Sequence, residues 1–434
     1  MNTSSQKSGD HARVNRPERL QIEWRPLSLD QLLPADHRAR LVWQYVCSLD
    51  LSRLYANIKS VEGQPGRDAV DPRILMTLWM FATIESISSA RRLALLCERD
   101  LVYQWICGGV GVNYHLLSDF RTAHGEFLDE LLTLSVATLL QQGLVTLDVV
   151  AQDGMRVRAS AGGSSFRREK TLRKCLAEAE EQVRKLRQER ENESQPAAID
   201  ARCEAAQKRA VSERQERVQK ALKELEQLQR QKEQRKKGTG KDARCSTTDP
   251  EARNMKMGDS GFRPAYNVQL ATDGDSRIII GVDVTNSGSD GGRMSPMHEQ
   301  VRERYGQTPG KYLVDCGFAS HEDITLVEQR GSQVYAPIHG EERMREKGVD
   351  PYARQKKDTD ESFAFRQRMA TEEAKELYKK RPSIAEFPNA EFRNRGLSQF
   401  RVRGLDKVKT VSLWHAITFN FLRMIDLKCF ESGS

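Results

Sequence analysis

Three kinds of hydrophobic pattern follow one another along the chain. From about residue 25 to Gly143, apolar residues recur at steps of three and four, the period of helices with a buried face. In DPRILMTLWMFATIE, Asp71 stands where it can cap a first turn and Pro72 at the first helical position, while Leu75, Leu78, Trp79 and Ala82 form the apolar stripe. SSARRLALLCERD and NYHLLSDFRTAHGEFLDELLTLSVATLLQQG keep the same period, the second closing on Gly143 as a C-terminal cap. Helices carrying Arg91 and Arg92, or Ser118 and Arg121, are either a recognition face for DNA or packed supports, and the pattern leaves both open.

At LVTLDVVAQDGMRVRAS, residues 144–160, the pattern turns β-branched, and Asp153-Gly154 predicts a two-residue hairpin turn inside it. Residues 166–237 are dense in Lys, Arg, Glu and Gln, with a narrow seam of Leu172, Leu176, Ala179, Val183 and Leu186. Pro196 interrupts that seam, and Val211, Val218, Leu222, Leu225 and Leu228 resume it, which predicts an antiparallel helical hairpin projecting as an arm or self-association device. Beyond it come strands over Tyr266–Ala271 and Arg277–Thr285 joined at Asp-Gly-Asp. GRMSPMHEQVRERYG then reads as helix, KYLVDCGF as strand, HEDITLVEQRG as helix and SQVYAPIH as strand. This order predicts an α/β core, a mixed sheet flanked by helices, behind an all-α N-terminal region.

At 434 residues the chain can bury a sizeable core without staples. Its eight cysteines are scattered, with no CxxC pair and no zinc-like His spacing, and read as reduced thiols of a cytosolic protein. The N-terminal stretch MNTSSQKSGDHARVNRPERL has no apolar run of signal-peptide length, so secretion is not expected; nor is membrane insertion. A net charge of +8 and a pI near 9.0 favour a polyanionic partner.

Asp153 reads as the end of the first predicted strand and Asp315 as the end of the fourth and, if these strands are neighbours, their carboxylates meet. Two such acids repel unless a cation lies between them, and oxygen-only ligation suits Mg²⁺. A third acid is available in YKKRPSIAEFPNAEFRNRG, as Glu386 or Glu391, with Pro388 expected to break the local helix. Asp290, in NSGSDGGRM, reads first as a turn acid and second as a neighbour of the site. His298 and His321 follow strands and are placed to approach phosphate, whereas His415 on an apolar helix reads as packed.

Four stretches, AQDGMRVRAS, TTDPEARNMKMGDSGFRPAYNVQLATD, YLVDCGFAS and the block from Tyr378 through RVRGLDKV, together resemble the DDE transposases of bacterial insertion sequences. That family has a helical N-terminal domain and an RNase H-like catalytic core. The resemblance implies Asp153, Asp315 and Glu386 as catalytic metal ligands for two Mg²⁺ ions, with Mn²⁺ as a substitute. In the family's tyrosine, arginine, glutamate and lysine signature, Tyr378 and Arg381 match the first two positions. Four rather than three residues separate Arg381 from Glu386, and Arg393 stands at the lysine position, a planar fork in place of a point charge.

The implied activity is metal-dependent cleavage at transposon ends followed by 3′-OH strand transfer into target DNA. The alternatives are an RNase H-like nuclease without transfer and an inactive DNA-binding relative. The implied partners are double-stranded inverted-repeat ends and target DNA, with a homodimer or larger assembly on DNA and a cytoplasmic, nucleoid-associated location in a bacterium. DNA contacts are expected from Arg156, Arg158, Tyr378, Lys379, Lys380, Arg381, Arg393, Arg395, Arg401, Arg403 and Lys407. The expected organisation is a disordered polar lead over 1–24, a helical domain over 25–143, the catalytic core over 144–165 and 246–434, and a coiled-coil hairpin with basic linker inserted over 166–245.

Overall fold

The computed structural model describes residues 28–60, 68–192, 198–234 and 239–429. The polar lead over 1–24 and the break at Pro196 lie outside them. Seven helices come first: α1 (Arg38–Ser48), α2 (Ser52–Ala56), α3 (Pro72–Ile84), α4 (Ala90–Arg99), α5 (Leu101–Cys107), α6 (Tyr114–Ala123) and α7 (Gly125–Gln141). Asp71 caps α3 by accepting from Arg73 N, and every residue of α3 except Arg73 is buried, more than the stripe of its pattern implies. The helix expected to run unbroken into Gly143 divides at His124. There α7 begins on Gly125, where a Cβ would stand 2.6 Å from Thr410 Oγ1, so a crossing helix passes too close for a side chain.

Arg121 turns out to be a support. It is buried, donates to Ser88 O at 2.6 Å, and lies with its guanidinium 4.6 Å from the Trp79 ring centroid. Burial pushes its pKa down to about 10, which still leaves it charged at neutral pH.

The sheet begins with β1 (Val149–Arg158), which runs straight through Asp153 and Gly154. The expected hairpin turn does not form. Nine consecutive residues of β1 pair antiparallel with a later strand, and Gly154 serves a close approach: a Cβ there would lie 2.5 Å from Gln269 Nε2 and 2.6 Å from Asp290 Oδ1. Next come β2 (Phe166–Arg167), α8 (Glu169–Asn192), α9 (Ala198–Glu233) and β3 (Cys245–Ser246). The two long helices run antiparallel, since Gln229 reaches Glu169 at 3.0 Å while Arg214 reaches Gln182 at 3.2 Å. Their seam closes on Leu172, Ala221 and Leu225, packed with Ala243 and Cys245 as a cluster separate from the main core.

Then follow β4 (Arg253–Lys256), β5 (Phe262–Asp273), β6 (Ile279–Thr285), α10 (Met294–Tyr305), β7 (Lys311–Leu313), α11 (His321–Gln329) and β8 (Gln333–Tyr335). The main sheet has the order β4-β5-β1-β7-β8, with β6 also paired to β5. β5 lies antiparallel to β1, while β7 is parallel to both β1 and β8. The chain closes with α12 (Glu341–Glu346), α13 (Asp360–Met369), α14 (Glu372–Tyr378), α15 (Arg381–Asn394) and α16 (Leu405–Asp426). Pro388 does not break α15; it sits inside the helix, buried, at the cost of one backbone bond and of ring crowding against the preceding turn.

α16 joins the helical part to the sheet. Trp414 donates its indole N–H to Arg121 O, Phe421 stacks 4.8 Å from Tyr45, and the Asn420 side chain bonds both Ile279 N and Ile279 O at 2.8 Å. One contiguous core therefore runs from α1 to β8. Among the described residues no helix is long and apolar enough to cross a membrane.

Candidate active site

Asp153 sits in the middle of β1, not at its end. Strand alternation turns its side chain to one face and those of Gln152 and Arg156 to the other. α15 covers the Asp153 face. Arg381, at its first turn, donates to Asp153 Oδ1 at 3.0 Å, and Asn389, eight residues and about two turns on, donates to Oδ2 at 2.8 Å. Asn389 Oδ1 itself is a buried acceptor without a partner among the described residues.

Asp315 reaches the same place from β7. Val149 pairs with Lys311 and Ala151 with Leu313, and the same parallel register carried two residues onward sets Asp153 abreast of Asp315. The acid also opens a turn, with Phe318 N bonding Asp315 O at 3.0 Å and its own Oδ1 taking Cys316 N at 2.8 Å. The carboxylate is exposed. Burial raises the Asp153 pKa; Arg381 opposes that shift, while Asp290 and Asp315 add to it as like charges.

Glu386 is exposed and stands 3.8 Å from Arg381 Nη1, so one guanidinium spans Asp153 and Glu386. Glu391 turns elsewhere and pairs with Arg395 at 2.8 Å. Tyr378, the last residue of α14, is half-buried near Asp315, Cys316 and Asp153, and burial pushes its hydroxyl up to about 12, so it remains a donor at neutral pH.

The remaining basic candidates are placed unequally. Arg158, Lys379, Lys380, Arg393, Arg401, Arg403 and Lys407 are exposed. Arg158 and Arg403 share the seam where residues 398–403 run beside the end of β1: Phe400 N bonds Arg158 O, and Arg403 Nε bonds Ser160 O. Arg381 is turned inward and buried on Asp153, Arg395 is half-buried on Glu391, and Arg156 donates to Gly288 O. His298 is buried in the core against Ser332, so it does not approach phosphate; burial lowers its pKa to about 4. His321 pairs with Asp358, and His415 is packed as expected.

The pattern missed Asn389 and the part played by Gly154. The eight-residue interval from Arg381 was the available signal for Asn389. Among the described residues, no group of three or more His, Cys, Asp or Glu side chains is drawn together as a metal site. The oxygen donors abreast at Asp153 and Asp315, beside the unpartnered Asn389 oxygen, still match the chemistry of a hard divalent cation; Glu386 is engaged by Arg381.

Residues 208–421 match the family model of the Transposase DDE domain, which takes in Asp315 and Glu386 but not Asp153. Residues 27–123 match that of a Transposase domain (DUF772). No curated protein and no solved structure matches the chain. Two transposase family models thus cover the helical region and the part of the core that carries Asp315 and Glu386, and together they support a DDE transposase of the insertion-sequence type.

Proposed function

We propose that this chain cuts DNA at transposon ends and joins the released 3′-hydroxyl to target DNA, using Asp153, Asp315 and Glu386. The observation that supports the reading is the parallel β1–β7 register, which, carried two residues past its last pair, sets the turn residue Asp315 abreast of Asp153, 162 positions away in sequence. The order β6-β5-β1-β7-β8, with only β5 antiparallel to its β1 neighbour, supports an RNase H-like core over 144–165 and 246–434, interrupted by the α8–α9 hairpin.

Asp153 and Asp315 would hold Mg²⁺ or Mn²⁺, with Glu386 as the third ligand. Divalent cations there supply activation of the attacking hydroxyl and stabilisation of the leaving oxygen. Arg381 and Asn389 fix the orientation of the Asp153 carboxylate. Tyr378 stays protonated and can donate to a phosphate oxygen. Arg393 and the exposed Arg158, Arg401 and Arg403 neutralise backbone phosphates, so binding should weaken steeply with salt. Joining two ends requires at least two copies on DNA, in the cytoplasm of a bacterium.

The test is strand transfer of a pre-cleaved end into supercoiled plasmid with Mg²⁺. Asp153→Ala, Asp315→Ala and Glu386→Ala should each lose transfer by about 10³-fold or more, roughly 4 kcal/mol of transition-state stabilisation, with DNA binding kept. Glu391→Ala should retain it. Full activity in either aspartate variant sinks the assignment, and cleavage without joined product would make the protein a nuclease.

A further inference from the structure

Asp290 lies in the loop between β6 and α10 and reaches the site from the sheet face opposite Asp153. Its Oδ1 accepts from Asn267 Nδ2 at 2.7 Å and Gln269 Nε2 at 3.0 Å, both on β5, and its Oδ2 stands 3.5 Å from Arg156 Nη2 on β1. A side chain at position 154 would have to displace this arrangement, since a Cβ there would fall 2.6 Å from Asp290 Oδ1. On its far side the same loop meets the turn that carries Asp315: a Cβ on Gly317 would lie 3.9 Å from Asp290 Cβ, and one on Gly291 would lie 3.7 Å from Gly317 O. The buried Asp323 of α11 then fastens the loop a second time, accepting from Gly292 N at 2.8 Å and Ser295 N at 3.2 Å.

The contacts extend inward. Gln269 also takes Gln152 Nε2 at 3.0 Å, and Gln152 Oε1 takes the Tyr312 hydroxyl at 2.9 Å, so a buried chain of side-chain hydrogen bonds crosses β5, β1 and β7. Buried polar chains are costly unless every member is satisfied, and they fix one geometry when they are. Asp315 lies beyond the last paired residue of β7, on a turn with a single backbone bond back to Asp315 O, so the ladder alone does not hold its carboxylate.

We propose that Asp290 is a positioning residue of the transposase centre: it clamps its loop between Gly154 and the 315–317 turn and thereby sets the distance between the Asp153 and Asp315 carboxylates. The proposal rests on the reading of those two acids as the cation-holding pair. Outer partners that orient ligands are worth about 10- to 100-fold in metal affinity or activity when removed.

The experiment uses the full chain and a transposon-end duplex. It measures the Mn²⁺ affinity of the protein–DNA complex by calorimetric titration, the Mg²⁺ concentration for half-maximal cleavage, and metal-free DNA binding by gel shift. Asp290→Ala should weaken Mn²⁺ binding and raise the Mg²⁺ requirement by about 10-fold or more while metal-free DNA binding stays within about threefold. Asp290→Asn keeps the acceptor oxygen and should recover most of the loss. Gly154→Ala should reproduce the Asp290→Ala defect, and the double variant should be no worse than Gly154→Ala alone.

An Asp290→Ala protein with unchanged metal affinity overturns the proposal, as does an Asp290→Asn protein as impaired as the alanine variant, which would make the charge and not the clamp decisive. Should Asp290→Ala fail to fold, Asp290→Asn and Gly154→Ala decide by the same readouts. Asp153→Ala run alongside separates the two levels: if it is active, the reading of the site fails; if it is inactive while Asp290→Ala behaves as the unmodified protein, only the clamp fails.

Discussion

The corner where β1, β7 and α15 meet and the hairpin of α8 and α9 solve opposite problems. In the corner, residues far apart in sequence bury charge: Arg381, 6% exposed, meets Asp153 across 228 positions. In the hairpin the partners are near in sequence, the charges stay in water, and only a thin seam is buried, with pairs such as Glu169–Arg173 and Glu181–Arg184 on its outer faces. Exposed pairs of that kind contribute roughly 0–1 kcal/mol each, whereas leaving one member of a buried pair alone costs about 3–5 kcal/mol. The corner therefore depends on a few side chains, and the hairpin on the sum of many.

Arg381→Ala presses hardest on that difference. It strands the Asp153 carboxylate, which burial already disfavours as an anion, with Asn389 as its remaining side-chain donor. The expected outcome is a loss of about 3–5 kcal/mol in chemical denaturation at neutral pH. Added Mg²⁺ should restore part of it, because a cation can replace the guanidinium charge. A loss below about 1 kcal/mol would show that the corner is as tolerant as the hairpin.

The same difference governs what could be read in the sequence. Along the hairpin a seam at steps of three and four is a local signal, and of that seam Leu172, Val218 and Leu225 are buried as the period requires. The strands β5 and β6 were legible as well, but β7 stops at Leu313 and β8 at Tyr335, so Asp315, expected on a strand, falls on the turn after it. In the corner the types of residue were visible, but not their arrangement. Asp153-Gly154 has the chemistry of a hairpin turn, and only the β5 side chains beneath it, Asn267 and Gln269 with Asp290, explain why glycine continues a strand there. Arg381 looked like a surface phosphate contact because nothing local shows that it is covered. Pro388 looked like a helix stop, yet it is buried inside α15, and its tertiary packing is not a local signal.

A pH titration sharpens the comparison next, because titrating groups are buried near the sheet and water-exposed along the hairpin. His298, against Ser332 and Tyr312, has its pKa lowered from 6.5 to about 4 by burial, and His415 is lowered to about 3. For these the unfolded chain binds protons more tightly, so their contribution is complete above pH 6.5 and lost as pH falls from there toward 4. For His298 that loss is on the order of 3 kcal/mol. Asp153 works in the other direction. Its folded pKa lies above 3.8, so ionisation costs stability, and the folded state gains as pH falls through that raised value. The melting temperature should therefore decline between pH 6.5 and 4.5, and His298→Asn should flatten the decline. An unchanged slope in that variant would remove His298 as its source.

The gentlest test concerns the hairpin itself. Leu225 is 1% exposed, in a cluster with Leu172, Ala221, Ala243 and Cys245 that is not continuous with the main core. Leu225→Ala should cost about 2–4 kcal/mol within that cluster. Because regions with few shared apolar contacts open independently, the loss should appear as local unfolding. Limited proteolysis within residues 169–233 should accelerate, while the main melting transition moves by no more than a degree or two. Beside the β2–β3 pairing of Arg167 with Cys245, the links that could transmit the damage include two ion pairs, Lys220 to Glu251 at 2.8 Å and Arg253 to Glu224 at 2.5 Å, both between α9 and the start of β4. If Leu225→Ala instead lowers the main transition in proportion to its cost, those links couple hairpin and core into one cooperative unit, and the division between a locally held arm and a globally held corner is wrong.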